Sequence, residues 1–170
     1  MTKDMNMKKI SYMLLSILVM CCGSQSPEKL WASAKLMRSQ NNMHESIINL
    51  ESIIKEYPRH DLAAKAQFQK AEIYLNDIKD FDFSIEEFEK AIVQYPRHEV
   101  AKNSLFMIAY IFNNYLDSYT DAIEHYDLFM KKYPNDELIP SVKYELEGLR
   151  EIQNVIDSLN SIVTQKKYKP

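Results

Sequence analysis

The chain has 170 residues, 46% hydrophobic and 26% charged, with a formal net charge of −3. That is enough for one domain or a short repeat array, and it gives no net field to draw nucleic acid or anionic lipid. Two glycines, where average usage gives about 12, leave no phosphate loop, dinucleotide fingerprint or nucleophile elbow, and argue against an all-β fold of tight hairpins. The two cysteines, Cys21 and Cys22, are adjacent and supply neither a thiolate zinc set nor a disulfide joining distant parts.

The first element is a leader. Residues 1–9 carry Lys3, Lys8 and Lys9 against the single acid Asp4, and residues 10–20, ISYMLLSILVM, hold no charge. A membrane-spanning helix needs about 20 apolar residues, so this shorter run reads as a secretory signal over residues 1–21. Because the run stops at Cys21-Cys22, it resembles the bacterial lipoprotein signal, which implies that Cys22, or Cys21, is lipidated and begins the mature chain. A plain secretory peptide with incidental cysteines is the alternative. Without residues 1–21 the formal charge is −5, so a lipid anchor would do what surface charge cannot, provided two or more acyl chains are attached. Residues 22–27 form a short tether.

The rest of the chain repeats. Tyr57-Pro58-Arg59-His60 returns as Tyr95-Pro96-Arg97-His98 and as Tyr133-Pro134-Asn135-Asp136, each 38 residues on, a period in the range of solenoids. Ile47, Ile85 and Ile123 correspond, as do Leu50, Phe88 and Tyr126, and Ala71 and Ala109. Apolar residues at helical spacing (Phe68, Ala71, Tyr74, Leu75, then Ile85, Phe88, Ala91, Ile92) predict two amphipathic helices per unit. Proline cannot continue the second helix and pushes the tyrosine before it out of the helical region, so each unit stops at Tyr-Pro. The predicted helices are 28–40, 43–56, 61–76, 82–94, 99–115, 119–132 and a last one from about 138. The units are residues 28–58, 61–96 and 99–134, with a cap over 138–163 and a basic tail over 164–170, within an array spanning 28–163.

Helix-turn-helix units with this order of large, small and aromatic residues and proline resemble tetratricopeptide repeats. Trp31, Ala34 and Met37 stand at that family's first-helix places; Ser46, Ser84 and Ala122 take its small second-helix residue. The resemblance implies an all-α superhelical solenoid whose first helices line a concave, peptide-holding face. Together with the leader, it implies an outer-membrane lipoprotein of the kind found in the β-barrel assembly machine (BamD type) or the Tol–Pal system.

No catalytic group, metal site or cofactor is nominated. His60 and His98 are repeat equivalents, His44 and His125 lie in other units, and none has the i,i+4 spacing of a helical metal pair. The aromatics recur at core positions, where each contributes about 1.5 to 3 kcal/mol by burial. What remains is the groove. Its candidates are Lys29, Lys35 and Arg38 in the first unit; Gln69, Glu72, Leu75 and Asn76 in the second; and Met107, Tyr110, Asn113 and Asn114 in the third, the last two being amides suited to a peptide backbone. The expected function is a lipid-anchored scaffold on the periplasmic side of the outer membrane, binding envelope proteins and no nucleic acid. An adaptor for peptidoglycan hydrolases or division machinery, or a cell-wall glycan binder, is the alternative.

Overall fold

A computed structural model describes residues 25–167. The expected leader, with Cys21 and Cys22, lies outside the described residues. The described chain is helical throughout: α1 (Pro27–Ser39), α2 (Met43–Glu56), α3 (Asp61–Ile73), α4 (Phe81–Gln94), α5 (Glu99–Asn114), α6 (Tyr119–Lys132) and α7 (Ile139–Lys167), with a π-helical turn, Tyr74–Ile78, prolonging α3. Five of the first six begin and end within one residue of the expected bounds; α3 ends three residues early, at Ile73, where the π-helical turn takes over. α7 departs from expectation at its far end, continuing past 163 into the expected tail.

Local chemistry at each boundary repeats with the sequence. Tyr57, Tyr95 and Tyr133 share one backbone conformation, φ near −128° and ψ near 50° (−128/49, −126/50 and −129/56), outside the helical region that a following proline disfavours. The tyrosine carbonyl then accepts from the N–H three residues on, at His60 (2.9 Å), His98 (3.0 Å) and Asp136 (3.1 Å). Those residues cap the next helix. His60 Nδ1 accepts from Leu62 N–H at 3.2 Å, His98 Nδ1 from Val100 N–H at 3.1 Å, and an Asp136 oxygen from Leu138 N–H at 3.0 Å, satisfying backbone donors that a helix start leaves free. The repeated histidines are thus helix caps. Second helices are capped in the same way by Asn42 on Glu45 N–H and Asp80 on Phe83 N–H.

Between the helices of each unit the chain turns through one left-handed residue: Asn41 (φ 60°), Lys79 (66°) and Asp117 (51°), 38 positions apart. This conformation suits glycine and, after it, Asn and Asp; at Lys79 it costs roughly 1 to 2 kcal/mol.

Packing follows the small residues. Ala34, Ala71 and Ala109 are fully buried, letting the second helix of each unit approach. Ser46 Oγ donates to the Ala34 carbonyl (2.9 Å) and Ser84 Oγ to the Ala71 carbonyl (3.0 Å). The aromatic rows meet edge-on, Phe68 against Phe88 at 5.1 Å and its equivalent Phe106 against Tyr126 at 5.8 Å. Each helix packs on the next in sequence, and first helices also touch one another, α1 with α3 and α3 with α5. They form the inner layer, with α2, α4 and α6 outside, in a superhelix of the tetratricopeptide-like kind. α7 packs on α6 through Val142, Leu146 and Leu149, which stand 38 residues after Ser104, Ile108 and Ile111. It is long, but no helix among the described residues is long and apolar enough to cross a membrane.

Candidate partner-binding groove

The inner layer carries a groove of about 370 Å³ that crosses three units. α1 contributes Trp31 and Lys35; α3 contributes Phe68, Gln69 and Glu72; the start of α5 contributes Glu99, Val100 and Asn103. Trp31 and Phe68 are half-buried, so each gives one face to the core and another to the groove. The apolar floor is rimmed by both signs of charge, with Lys35 exposed on one wall.

The electrostatics of that wall are specific. Burial raises the Glu72 carboxyl above its ordinary value; Arg38 opposes the rise and Asp77 adds to it. Arg38 itself is committed to Asp77, its Nη2 at 2.7 Å and Nε at 2.8 Å from one carboxylate oxygen. It ties α1 to the π-helical turn and serves as a strut more than as a cation for a ligand. Gln69 Oε1 is buried with no hydrogen-bond partner among the described residues. A buried acceptor left unpaired costs about 1 to 3 kcal/mol.

A second hollow of about 350 Å³ lies farther along the same layer, between α5 and α7, where Asn113 faces Tyr144, Glu145 and Ile152. Asn113 Nδ2 donates to Glu145 Oε2 at 3.1 Å, and Asn114 Nδ2 turns back to the Tyr110 carbonyl at 3.0 Å. Tyr110, half-buried, packs edge-on against Tyr115 at 6.0 Å.

The sequence candidates therefore divide. Lys35, Gln69 and Glu72 come together in the first groove, and Asn113 lines the second hollow. Asn76 is exposed beside the Arg38–Asp77 pair, and Lys29 is exposed on the first turn of α1. Met107 is half-buried against the core. Leu75 is a correction: it is 1% exposed, packed in the core with Ala71, Phe88 and Ile108, and it cannot face a ligand. Sequence reasoning missed Lys65, Glu99, Val100 and Asn103 at the groove mouth. Helical spacing held the signal, since Lys65 precedes Gln69 by four residues and Asn103 precedes Met107 by four.

Residues 22–146 match the model of the family described as soluble NSF attachment protein, SNAP. The chain belongs to that family. No curated protein matches it. SNAP-family chains are helical-repeat adaptors, a non-enzymatic class, and their tetratricopeptide-like superhelix is the architecture found here. The SNAP match supports a helical repeat protein and does not single out the barrel-assembly or Tol–Pal lipoproteins. It also ends at residue 146, in the first turns of α7, so the second hollow draws on residues beyond the family's span.

Proposed function

We propose that this chain is a non-enzymatic, lipid-anchored adaptor of a bacterial cell envelope, holding a segment of a partner protein along its inner layer. The observation that carries the reading is the groove across α1, α3 and α5. Its floor of Trp31, Phe68 and Val100 suits apolar side chains, and its walls present charges of both signs. The family's description as an attachment protein supports the adaptor role. The envelope and the anchor rest on the leader sequence ending at Cys21-Cys22, with Cys22, or Cys21, as the lipidated residue on the periplasmic side of the outer membrane.

Two measurements test the reading separately. Crosslinked pull-down from envelope fractions should capture protein partners with the native chain and lose them at least tenfold with Lys35→Glu plus Gln69→Ala, at unchanged helicity. Barrel-assembly subunits among them would place the chain in outer-membrane assembly, hydrolases in cell-wall remodelling; undiminished capture by the double variant overturns the groove. Cys21→Ala together with Cys22→Ala should release the protein from membranes. Retention overturns the anchor and leaves the groove standing.

A further inference from the structure

Two equivalent places on successive first helices carry opposite charge in the groove. Trp31 and Lys35 of α1 stand 37 residues before Phe68 and Glu72 of α3, as Ala34 stands before Ala71, and these two aromatic–charged pairs line the same groove. The two charges differ in their surroundings. Lys35 is exposed and keeps its water, whereas Glu72 is half-buried, so its carboxylate has given up part of its hydration. Neither has an ion-pair partner among the described residues.

The other charges around Glu72 are already matched or lie in water. Arg38 reaches Asp77 through both Nε and Nη2, so Arg38, Asp77 and Glu72 together carry a net charge of −1. Lys65 is held by Asp61 at 2.6 Å, and Asp61 also meets His98 Nε2 at 3.0 Å. Glu99, exposed on the α5 wall, adds a second negative charge that acts on Lys65 and Lys102. Among the described lining residues, the charge that is both drawn out of water and left without an opposite charge in contact is therefore an anion.

That anion stands beside aromatic surface. Phe68 precedes Glu72 by four residues, on the same face of α3. Trp31 is half-buried, and no ring or cation stacks on it among the described residues. A guanidinium fits such a place: it is planar and weakly hydrated, stacks on aromatic faces, and donates two N–H groups to one carboxylate. An acidic segment would meet Glu72 and Glu99 across an apolar floor. We propose that the groove selects an arginine of the partner segment, its stem on Trp31 and Phe68 and its guanidinium on the Glu72 carboxylate. The inference rests on the groove reading above and names what that groove recognises. Lys35 sets a limit, since it repels a second base one helix back, so the site takes a single arginine rather than a polybasic run.

Trp31 is the chain's single tryptophan, so its fluorescence reports occupancy of the groove in the full chain. The probes are acetyl-Gly-Leu-Xaa-Leu-Gly-amide peptides with Arg, Gln or Glu at the central position. The Arg peptide should bind at least about tenfold more tightly than the Gln peptide, the lower end of a hydrogen bond to a charged group, and the Glu peptide more weakly than either. Glu72→Gln, at unchanged helicity, should bring the Arg and Gln peptides to within about twofold of each other. Glu72→Lys should reverse the order and make the Glu peptide the tightest. A native chain that binds the Arg peptide no more tightly than the Gln peptide overturns the inference and leaves the groove standing. So does an Arg preference that survives Glu72→Gln. If none of the peptides perturbs Trp31, the groove reading falls and the inference with it.

Discussion

The second and third units share a backbone and differ in what they bury. In the second, Gln67 and Glu87 are 2% exposed, Gln67 Nε2 donates to both the carbonyl and a carboxylate oxygen of Glu87 at 2.9 and 2.7 Å, and Lys90 and Lys70 approach the same carboxylate at 2.7 and 3.3 Å. Lys70 reaches on to Glu51 of α2 at 2.7 Å. In the third unit, 38 residues on, Leu105 replaces Gln67, Ile108 replaces Lys70 and His125 replaces Glu87. Leu105 and Ile108 are buried apolar residues, and His125 bonds the Asp121 carbonyl at 2.8 Å. One helix pair is zipped by a charged network and its neighbour by aliphatic packing. The fold thus asks only that the space be filled and the polar atoms paired, because a buried ion pair and an apolar isostere come out close in net stability.

Breaking that network gives the largest effect. Glu87→Ala removes the carboxylate that Gln67, Lys90 and Lys70 share, leaving Gln67 the residue-87 carbonyl and Lys70 its bond to Glu51, and should cost about 2 kcal/mol, the scale of hydrogen bonds to a charged group, measured by urea unfolding. Burial alone would raise the Glu87 carboxyl; Lys90, Gln67 and Lys70 together hold it below its ordinary 4.5. A carboxyl depressed on folding contributes stability that is present above its unfolded pKa and lost as pH falls through its folded one. The native chain should therefore weaken in acid below about pH 4.5 more steeply than Glu87→Gln does. Replacing the network by apolar residues, as the third unit does at two of the three positions, with Gln67→Leu, Lys70→Ile and Glu87→Leu, should recover most of the loss from Glu87→Ala and remove that acid dependence.

How much of this was legible in the sequence follows from what repeats. The Tyr-Pro stops, the cap positions and the small residues recur every 38 positions because each is set by local backbone chemistry or by one helix facing its partner. Helix bounds, the all-α solenoid and the inner helix layer could therefore be read off directly. The Glu87 network could not, since Gln67, Lys70 and Glu87 are spread over two helices and look like ordinary surface residues along the chain. Leu75 was offered to the groove although it stands four residues after Ala71, on the same helix face as that buried residue, and it packs in the same cluster. At the groove, Lys35 and Gln69 were accessible to reasoning by helix face. Arg38 was misjudged because Asp77 approaches it from another unit, 39 residues later in the chain.

The aromatic pair sharpens the comparison from the other side. Phe88 and Tyr126 are equivalent, and both are fully buried. The Tyr126 hydroxyl has no hydrogen-bond partner among the described residues, and burial, with Glu145 and Tyr110 adding to it, pushes its ionisation well above the ordinary tyrosine range. The third unit thus carries an unpaired polar atom that the second avoids. Tyr126→Phe keeps the ring against Phe106 and removes the desolvated oxygen, and should stabilise the chain by about 1 kcal/mol in the same urea titration. A loss of that size would mean that the hydroxyl is paired in solution.

The smallest effect concerns the hydroxyl the third unit lacks. Ser46 and Ser84 each bond the carbonyl of the small residue on the facing helix, Ala34 and Ala71. The third unit has Ala122 facing Ala109, both fully buried, so the Ala109 carbonyl receives no such bond. The helix approach is already close enough for serine in two units that share this backbone. Ala122→Ser adds one oxygen where its equivalents find an acceptor at 2.9 and 3.0 Å. The net contribution of such a bond is about 1 kcal/mol, less what burying the hydroxyl costs in a site packed for a methyl group. A gain of about 0.5 kcal/mol, read as a higher urea midpoint at unchanged slope, is the expected outcome. It would show that the third unit keeps the geometry of the staple without its chemistry. A loss of 1 kcal/mol or more would show that α6 has moved closer to α5 than the second helices of the other units stand to their first, so that the aliphatic seam of Leu105 and Ile108 has tightened the pair beyond what a hydroxyl can enter.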